Sequence, residues 1–411
     1  MINIAFTGGG TGGHIYPGLA VALELKKILE NYVCTQTDFT GDIRIFWIGS
    51  SVGMDRSLVE EAGIEFYGVP SGKLRRYFSL QTITDFFKVI SGFFASRKIL
   101  KKQKAVLLFS KGGFVSVPPC AAASSLKIKV FTHESDFSPG LATRINARFV
   151  LRTGGRIFTA YEDTKKHFDK KLLKKGLDDR VTVSGNPVRA DFCNADAAKG
   201  RAFLGINDSD RLLLVLGGSQ GAKEINELIR EALPFLTETY IVVHQTGPNL
   251  TWDIPSSQRY KPFPYIKEQM PHVMAASEII MGRSGAGIWE WAFLGKPMIL
   301  IPLRGKGTRG DQVENAKYFK EAGAALVLGE NADTKEMELA VKLLANDSEK
   351  RKVMADASAR IGKCSLNGQT GSAYSELRRS EASSTEIIAS LLAEEVLKTI
   401  KKKQGNKDER D

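Results

Sequence analysis

Four glycine-rich stretches carry most of the residues in this sequence that could do chemistry. "GGGTGGH" sets five glycines between Gly8 and Gly13 and ends on His14, and "SKGGFVSVP" runs from Ser110 to Pro118. "GGSQGA" runs from Gly217 to Ala222 and "GRSGAGIWEW" from Gly282 to Trp291. A glycine loop that ends a strand and opens a helix lets backbone N–H groups approach an anion, and the helix N-terminus adds partial positive charge. Gly8, Gly10 and Gly13 formally satisfy G-x-G-x-x-G. The dinucleotide version of that motif needs an acidic residue about 20 positions later, at the end of the next strand. Here the next apolar run ends much later, on Ser50 and Ser51, and no Gly-Lys-Ser/Thr follows to make a P-loop. The four loops therefore point to anionic, phosphorylated ligands other than a dinucleotide. His14 adds a group that titrates near neutrality and can accept a proton.

The elements that must position these loops are legible as alternating apolar runs and helical spacings. "INIAF", "IRIFWIG", "AVLLFS" and "KVFTHE" are followed by "LLLVLGG", "YIVVHQ", "EIIMG", "MILIP" and "ALVLG". Short buried strands separated by helices of about 10–15 residues predict doubly wound parallel sheets. "RLLLVLGGSQGAKEINELI" restarts the strand–loop–helix grammar of the N-terminus, so two similar α/β domains are expected, changing over near "VSGNPVRADF". Loops at the carboxyl ends of parallel strands line the ligand crevice. Two such sheets facing one another predict an interdomain cleft with two anion sites, enough for two phosphorylated substrates.

Bulk properties agree with that reading. A chain of 411 residues is long for one domain. Cys34, Cys120, Cys193 and Cys364 show no paired spacing, which predicts reduced thiols and neither a zinc site nor a disulfide framework. The sequence enters its first strand at once, without a signal-like leader. No apolar run approaches the roughly 20 residues that span a bilayer. The formal charge of +12 favours an anionic partner. No nucleic-acid-binding motif accompanies it, so nucleic acid is not expected as that partner.

In this setting the sequence resembles the MurG glycosyltransferases. The resemblance rests on "GGGTGGHIYPGLAVA", "SGKLRR", "KGGFVSVP", "HESDFSPGL", "SGNPVR", "LGGSQGA", "GRSGAGIWEWAFLGKPMILIP" and "RGDQVENAKYF", in the family's order between Thr7 and Phe319. It implies the GT-B architecture, two Rossmann-like domains with a cleft between them. An acceptor- and membrane-facing domain is expected over 1–188 and a UDP-sugar-binding domain over 189–375. A C-terminal helix at about 383–402 should return to the first domain, followed by a basic tail over 403–411. The implied activity is inverting transfer of N-acetylglucosamine from UDP-N-acetylglucosamine to the 4-hydroxyl of lipid-linked N-acetylmuramoyl-pentapeptide. No cofactor and no obligatory metal are implied. Another lipid acceptor on the same fold, or a non-catalytic nucleotide-sugar-binding subunit, are the alternatives.

Site residues follow from the resemblance by position. Glu290 falls where the family's carboxylate binds both ribose hydroxyls, and a carboxylate can accept two such bonds. Main-chain groups at Ile266 should meet the uracil edge. Arg189 and Ser219 should meet the diphosphate, with Gln220, Arg283, Ser284 and Gly285 in the same donor site and Gln312 on the sugar hydroxyls. Thr11, Gly12, Gly13 and Asp136 are also expected at the donor. Gly10, Thr11, Gly12, Gly113 and Ser116 are expected around the acceptor diphosphate. His14 is the leading base and Asp136 the rival, while His133 and Glu134 read as architectural.

The acceptor's lipid tail needs a surface. From Ser79 to Lys104, Ile83, Phe86, Phe87, Ile90, Phe93 and Phe94 form one apolar stripe at helical spacing. Lys73, Arg75, Arg76, Lys88, Arg97, Lys98, Lys101 and Lys102 flank it. Such a segment suits an anionic interface and predicts a peripheral protein on the cytoplasmic membrane face. The competing expectation is a helix that buries this stripe against the sheet.

Overall fold

In the computed structural model the described residues are all except 11, 36–41, 54, 73–79, 219–220, 249–256, 306–309, 330–331, 364–381 and 409–411. Thr11, Ser219 and Gln220 therefore lie outside the described residues, as does most of the polar stretch at 362–383.

The chain divides into two compact units. The first comprises Met1–Pro187 and Ser365–Asp411, and the second Val188–Cys364. The first unit carries strands β1 (Ile2–Thr7), β2 (Ile43–Ser50), β3 (Glu65–Val69), β4 (Ala105–Ser110), β5 (Lys129–Glu134), β6 (Ile157–Thr159) and β7 (Val181–Val183). Its helices are α1 (Gly12–Thr35), α2 (Asp55–Glu61), α3 (Leu80–Lys102), α4 (Val117–Ser125), α5 (Leu141–Thr153) and the single turn α6 (Lys170–Leu172). The strands form one parallel sheet in the order β3-β2-β1-β4-β5-β6-β7, with Phe6 level with Trp47 on one side and Phe109 on the other. β1 is buried along its whole length, as expected for a strand covered by helices on both faces.

The second unit repeats the scheme with β8 (Leu212–Leu216), β9 (Ile241–Gln245), β10 (Tyr260–Phe263), β11 (Ile279–Gly282), β12 (Met298–Leu300) and β13 (Ala325–Val327). Its helices are α7 (Ala197–Leu204), α8 (Lys223–Thr239), α9 (Met270–Ala276), α10 (Ile288–Phe293), α11 (Asp311–Glu321), α12 (Thr334–Asn346) and α13 (Ser348–Gly362). The sheet order is β10-β9-β8-β11-β12-β13. Asp196, Asp333 and Asp347 cap α7, α12 and α13 by accepting from backbone N–H groups of the first turn.

The last helix, α14 (Ser384–Asp408), belongs to the first unit. It opens with a capping box. The Ser383 N–H donates to Glu386 Oε2 at 2.7 Å, and the Glu386 N–H returns to Ser383 Oγ at 3.3 Å. Ile388, Leu392, Val396 and Ile400 complete the core made by β1, β2 and α1, and Glu395 pairs with Lys129 on β5.

This topology puts the glycine loops at special points. Strand order reverses between β1 and β4 in the first sheet, and between β8 and β11 in the second. The loops after those four strands are the four glycine stretches of the sequence. Ligands of open α/β sheets bind at such switch points, outside the carboxyl ends of the strands.

Candidate functional site

In the first unit a buried carboxylate organises the loop after β1. Asp55, 1% exposed, accepts from the Gly10 N–H at 3.0 Å and from the Ser50 N–H at 3.1 Å. It comes so close to Gly9 that a Cβ there would lie 2.0 Å from Oδ2. The indole N–H of Trp47 donates to the Gly8 carbonyl at 3.0 Å. The Gly10 N–H is thus engaged by Asp55. Gly10 supplies a positive-φ turn packed on Phe114. Gly12 opens α1, and Gly13 is exposed beside it.

His14 is half-buried, and its ring lies over the turn after β4. Gly112 and Gly113 both have positive φ, 93° and 77°, where side chains are strained. A Cβ on Gly113 would sit 3.1 Å from His14 Cδ2 and 2.8 Å from the Gly9 carbonyl oxygen. Beneath this turn Ser116 is fully buried. Its hydroxyl donates to the Gly113 carbonyl at 2.8 Å and accepts from Asn146 Nδ2 at 3.0 Å. Ser116 therefore braces the turn, which corrects its placement on the acceptor diphosphate.

The loop after β5 is tied by its own acid. Glu134 accepts from the N–H groups of Asp136 (3.1 Å) and Gly140 (2.9 Å), and His133 Nε2 bonds to the Gly185 carbonyl at 2.9 Å. Burial holds the His133 imidazole well below its usual pKa, and the Lys111 charge adds to that. Asp136 is half-buried on this loop. Lys111, 1% exposed, donates to Ser135 Oγ. Burial pushes its pKa down to about 8 against the pull of Glu134 and Asp136.

In the second unit Arg189 and Glu290 are partners. Arg189 Nε donates to Glu290 Oε1 at 3.2 Å, and the guanidinium lies 4.9 Å from the Phe192 ring centre. Burial raises the Glu290 pKa, while the Arg189 charge and hydrogen bond oppose the rise. Sequence reading assigns the two to separate ligand groups, whereas the fold sets them in one hydrogen bond.

Other expected donor residues are engaged by the protein. Arg283 donates to the Ile301 carbonyl at 3.1 Å and to Glu224 of α8. Ser284, fully buried, donates to the Gln312 carbonyl at 2.7 Å, and Gln312 Oε1 accepts from the Leu303 N–H at 2.9 Å. These groups shape the loops after β11 and β12. The Ile266 N–H donates to Gln245 Oε1 at 3.0 Å. Gly285 borders open space, since a Cβ there would meet no described atom within 4 Å. Asp55, Lys111, Asn146, Gln245 and Glu224 escape sequence reading because each acts through a partner distant in the chain. The only local signal is adjacency, as Lys111 directly precedes the glycine pair.

The stripe on α3 divides by environment. Phe86, Phe87, Ile90 and Phe94 are exposed, at 59%, 64%, 39% and 64%. The face packed on the protein is made instead by Asp85, Gly92, Ser96 and Leu100. Phe93 is half-buried against the core of the first unit, which corrects its place among the outward residues. Arg97, Lys98, Lys101 and Lys102 are exposed beside the aromatics. Lys73, Arg75, Arg76 and the Ile83 side chain fall outside the described residues. No described helix is long and apolar enough to cross a membrane.

Comparison with known proteins supplies the family context. Residues 4–154 match the glycosyltransferase family 28 N-terminal domain and residues 212–368 its C-terminal domain. A Treponema denticola protein is 45% identical over 88% of this chain and 94% of its own length. It is named UDP-N-acetylglucosamine--N-acetylmuramyl-(pentapeptide) pyrophosphoryl-undecaprenol N-acetylglucosamine transferase. A Shouchella clausii protein of the same name is 40% identical over 82% of this chain and 88% of its own. Among solved structures, Acinetobacter baumannii MurG matches with a TM-score of 0.62 at 22% identity, covering 88% of this chain and 95% of that one. A Neisseria meningitidis UDP-GlcNAc 2-epimerase bound to UDP-GlcNAc also gives 0.62, at 19% identity, over 97% of this chain and all of that one. At such identities the structural likeness concerns the fold alone.

Proposed function

The chain belongs to glycosyltransferase family 28, and from that membership we propose that it transfers N-acetylglucosamine from UDP-N-acetylglucosamine to N-acetylmuramyl-pentapeptide pyrophosphoryl-undecaprenol. The observation that carries this reading is the 45% identity to the Treponema denticola transferase over nearly the whole of both chains. The reaction is a step of peptidoglycan precursor synthesis, and through it the chain serves cell-wall growth, shape and division.

The donor is assigned to the second unit. Glu290 accepts from the ribose hydroxyls, Arg189 and the "GGSQGA" loop meet the diphosphate, and Gln312 meets the sugar. Main-chain groups at Ile266, whose N–H is held by Gln245 in this structure, meet the uracil edge. The acceptor is assigned to the first unit, with its diphosphate at the turn of Gly112 and Gly113. The muramoyl 4-hydroxyl attacks the anomeric carbon, the bond to UDP breaks and the configuration inverts. His14 takes the hydroxyl proton, and Asp136 is the alternative acceptor of it. No cofactor or obligatory metal enters this scheme. Phe86, Phe87 and Phe94 rest in the cytoplasmic membrane surface, with Lys98 and its neighbours on anionic headgroups. Support for that placement is an aromatic patch that the protein leaves uncovered beside exposed basic side chains.

Purified chain supplied with the donor and equal amounts of a short-chain lipid-linked muramoyl-pentapeptide and a diacylglycerol tests the proposal. Sugar should appear on the muramoyl acceptor alone. Transfer to diacylglycerol would assign the chain to another lipid acceptor.

A further inference from the structure

We propose that Lys111 is a positioning residue for the transfer step, its buried ammonium tying the loop after β5, and Asp136 with it, to the turn on which the His14 ring lies. The proposal rests on the transferase reading of the first unit and adds a residue that the reading does not use. Lys111 is wedged between all three loops of that face. Its N–H donates to the Thr7 carbonyl at the end of β1, at 2.8 Å. Its Cβ is packed so closely on the first loop and on α1 that a Cβ on Gly8 would lie 3.2 Å away, and one on Gly18 of α1 3.3 Å away. Its ammonium crosses to the loop after β5 and donates to Ser135 Oγ.

Placing a cation in a protein interior is costly unless it is paired and hydrogen-bonded. Here the compensation comes from Ser135 and from the nearby charges of Glu134 and Asp136. Glu134 ends β5 and Asp136, the rival base, is on the loop that follows it. The charged groups around the ammonium are Glu134 and Asp136, and the titratable imidazole of His133, which in turn feels His14, also faces it. Neutralising the lysine loosens the β5 loop while leaving untouched Arg189, Glu290 and Gln312, the donor-binding residues assigned to the second unit.

The test is kinetic and uses the full chain. The acceptor kcat/KM reports groups of the free enzyme, so in the wild type it should fall as pH rises through about 8, where Lys111 loses its proton. Lys111→Met should lower that kcat/KM by about 10–100-fold, the scale of one lost hydrogen bond to a charged group. It should also abolish the fall near pH 8 and leave donor KM unchanged. Ser135→Ala keeps the cation and removes the tether. It should give a smaller loss of acceptor kcat/KM with the fall near pH 8 retained, and it decides the matter if Lys111→Met does not fold. Wild-type kinetics in Ser135→Ala, or a Lys111→Met enzyme with both its rate and its pH profile intact, would make the lysine a space-filling residue only. A wild-type chain with no transferase activity would overturn the underlying reading itself, and with it this role.

Discussion

Glu290 and Arg189 show how much a single hydrogen bond changes a residue-level account. A glutamate on a helix is usually solvated; this one is largely buried against a guanidinium, with a raised pKa. It therefore takes up a proton at a higher pH than an ordinary glutamate, and UDP affinity should weaken on acidification before the usual carboxylate range is reached. Calorimetry across pH 4–7 checks the direction. Glu290→Ala should cost roughly 2–4 kcal/mol of UDP binding, for two bonds to a charged acceptor, and should abolish that pH dependence. His14→Ala should lower kcat by about 10²–10⁴-fold, the range for loss of a general base, with donor affinity unchanged. If Asp136→Asn is the dead enzyme instead, and His14→Ala turns over normally, the proton goes to the β5 loop.

At the scale of elements, α3 separates two roles that its sequence alone presents as alternatives. Its stripe could have been the packing face. The fold uses a small-residue face through Gly92 and Ser96 for that purpose and leaves Phe86, Phe87 and Phe94 outside. Changing those three to serine should reduce binding to anionic vesicles, and added salt should reduce it further by screening the basic flank. Activity on a water-soluble acceptor should persist; its loss together with the folded signal in circular dichroism would return the aromatics to the core. The turn after β4 gives a second test. Gly113→Ala forces a side chain into a left-handed backbone and against the His14 ring, so acceptor turnover should fall while UDP affinity stays.

Strands and loops were legible in the sequence to different degrees for a physical reason. β1, β2, β4, β5, β8 and β9 lie near the middle of their sheets and read as apolar runs. β12 and β13 are short and β13 is an edge, yet "MILIP" and "ALVLG" are apolar throughout and legible, whereas the edge strands β3 and β10, "EFYGV" and "YKPF", carry no apolar run to betray them. The glycine stretches were legible because turns with positive φ demand the residue. What those turns rest on was not. Asp55, Asn146 and Glu224 are ordinary polar residues until the fold brings Gly10, Ser116 and Arg283 to them.

On the scale of the whole molecule, each unit is a doubly wound sheet with its glycine loops at the switch point. The first is completed only by a helix from the far end of the chain. Leu392 is fully buried in that core, so Leu392→Ala should destabilise the first unit by about 2–5 kcal/mol. A thermal melt should show that loss, with UDP binding by the second unit unaffected below the transition.

The central claim is that one polypeptide of this family joins two phosphorylated substrates. The most direct measurement supplies the purified chain with UDP-N-acetylglucosamine labelled in the sugar and a short-chain muramoyl-pentapeptide lipid, and follows the label and its anomeric configuration. The account predicts label in a lipid-linked disaccharide with inverted configuration, at a rate proportional to the amount of chain. Label that stays on UDP when the folded chain binds donor normally, or a product that retains configuration, would contradict it.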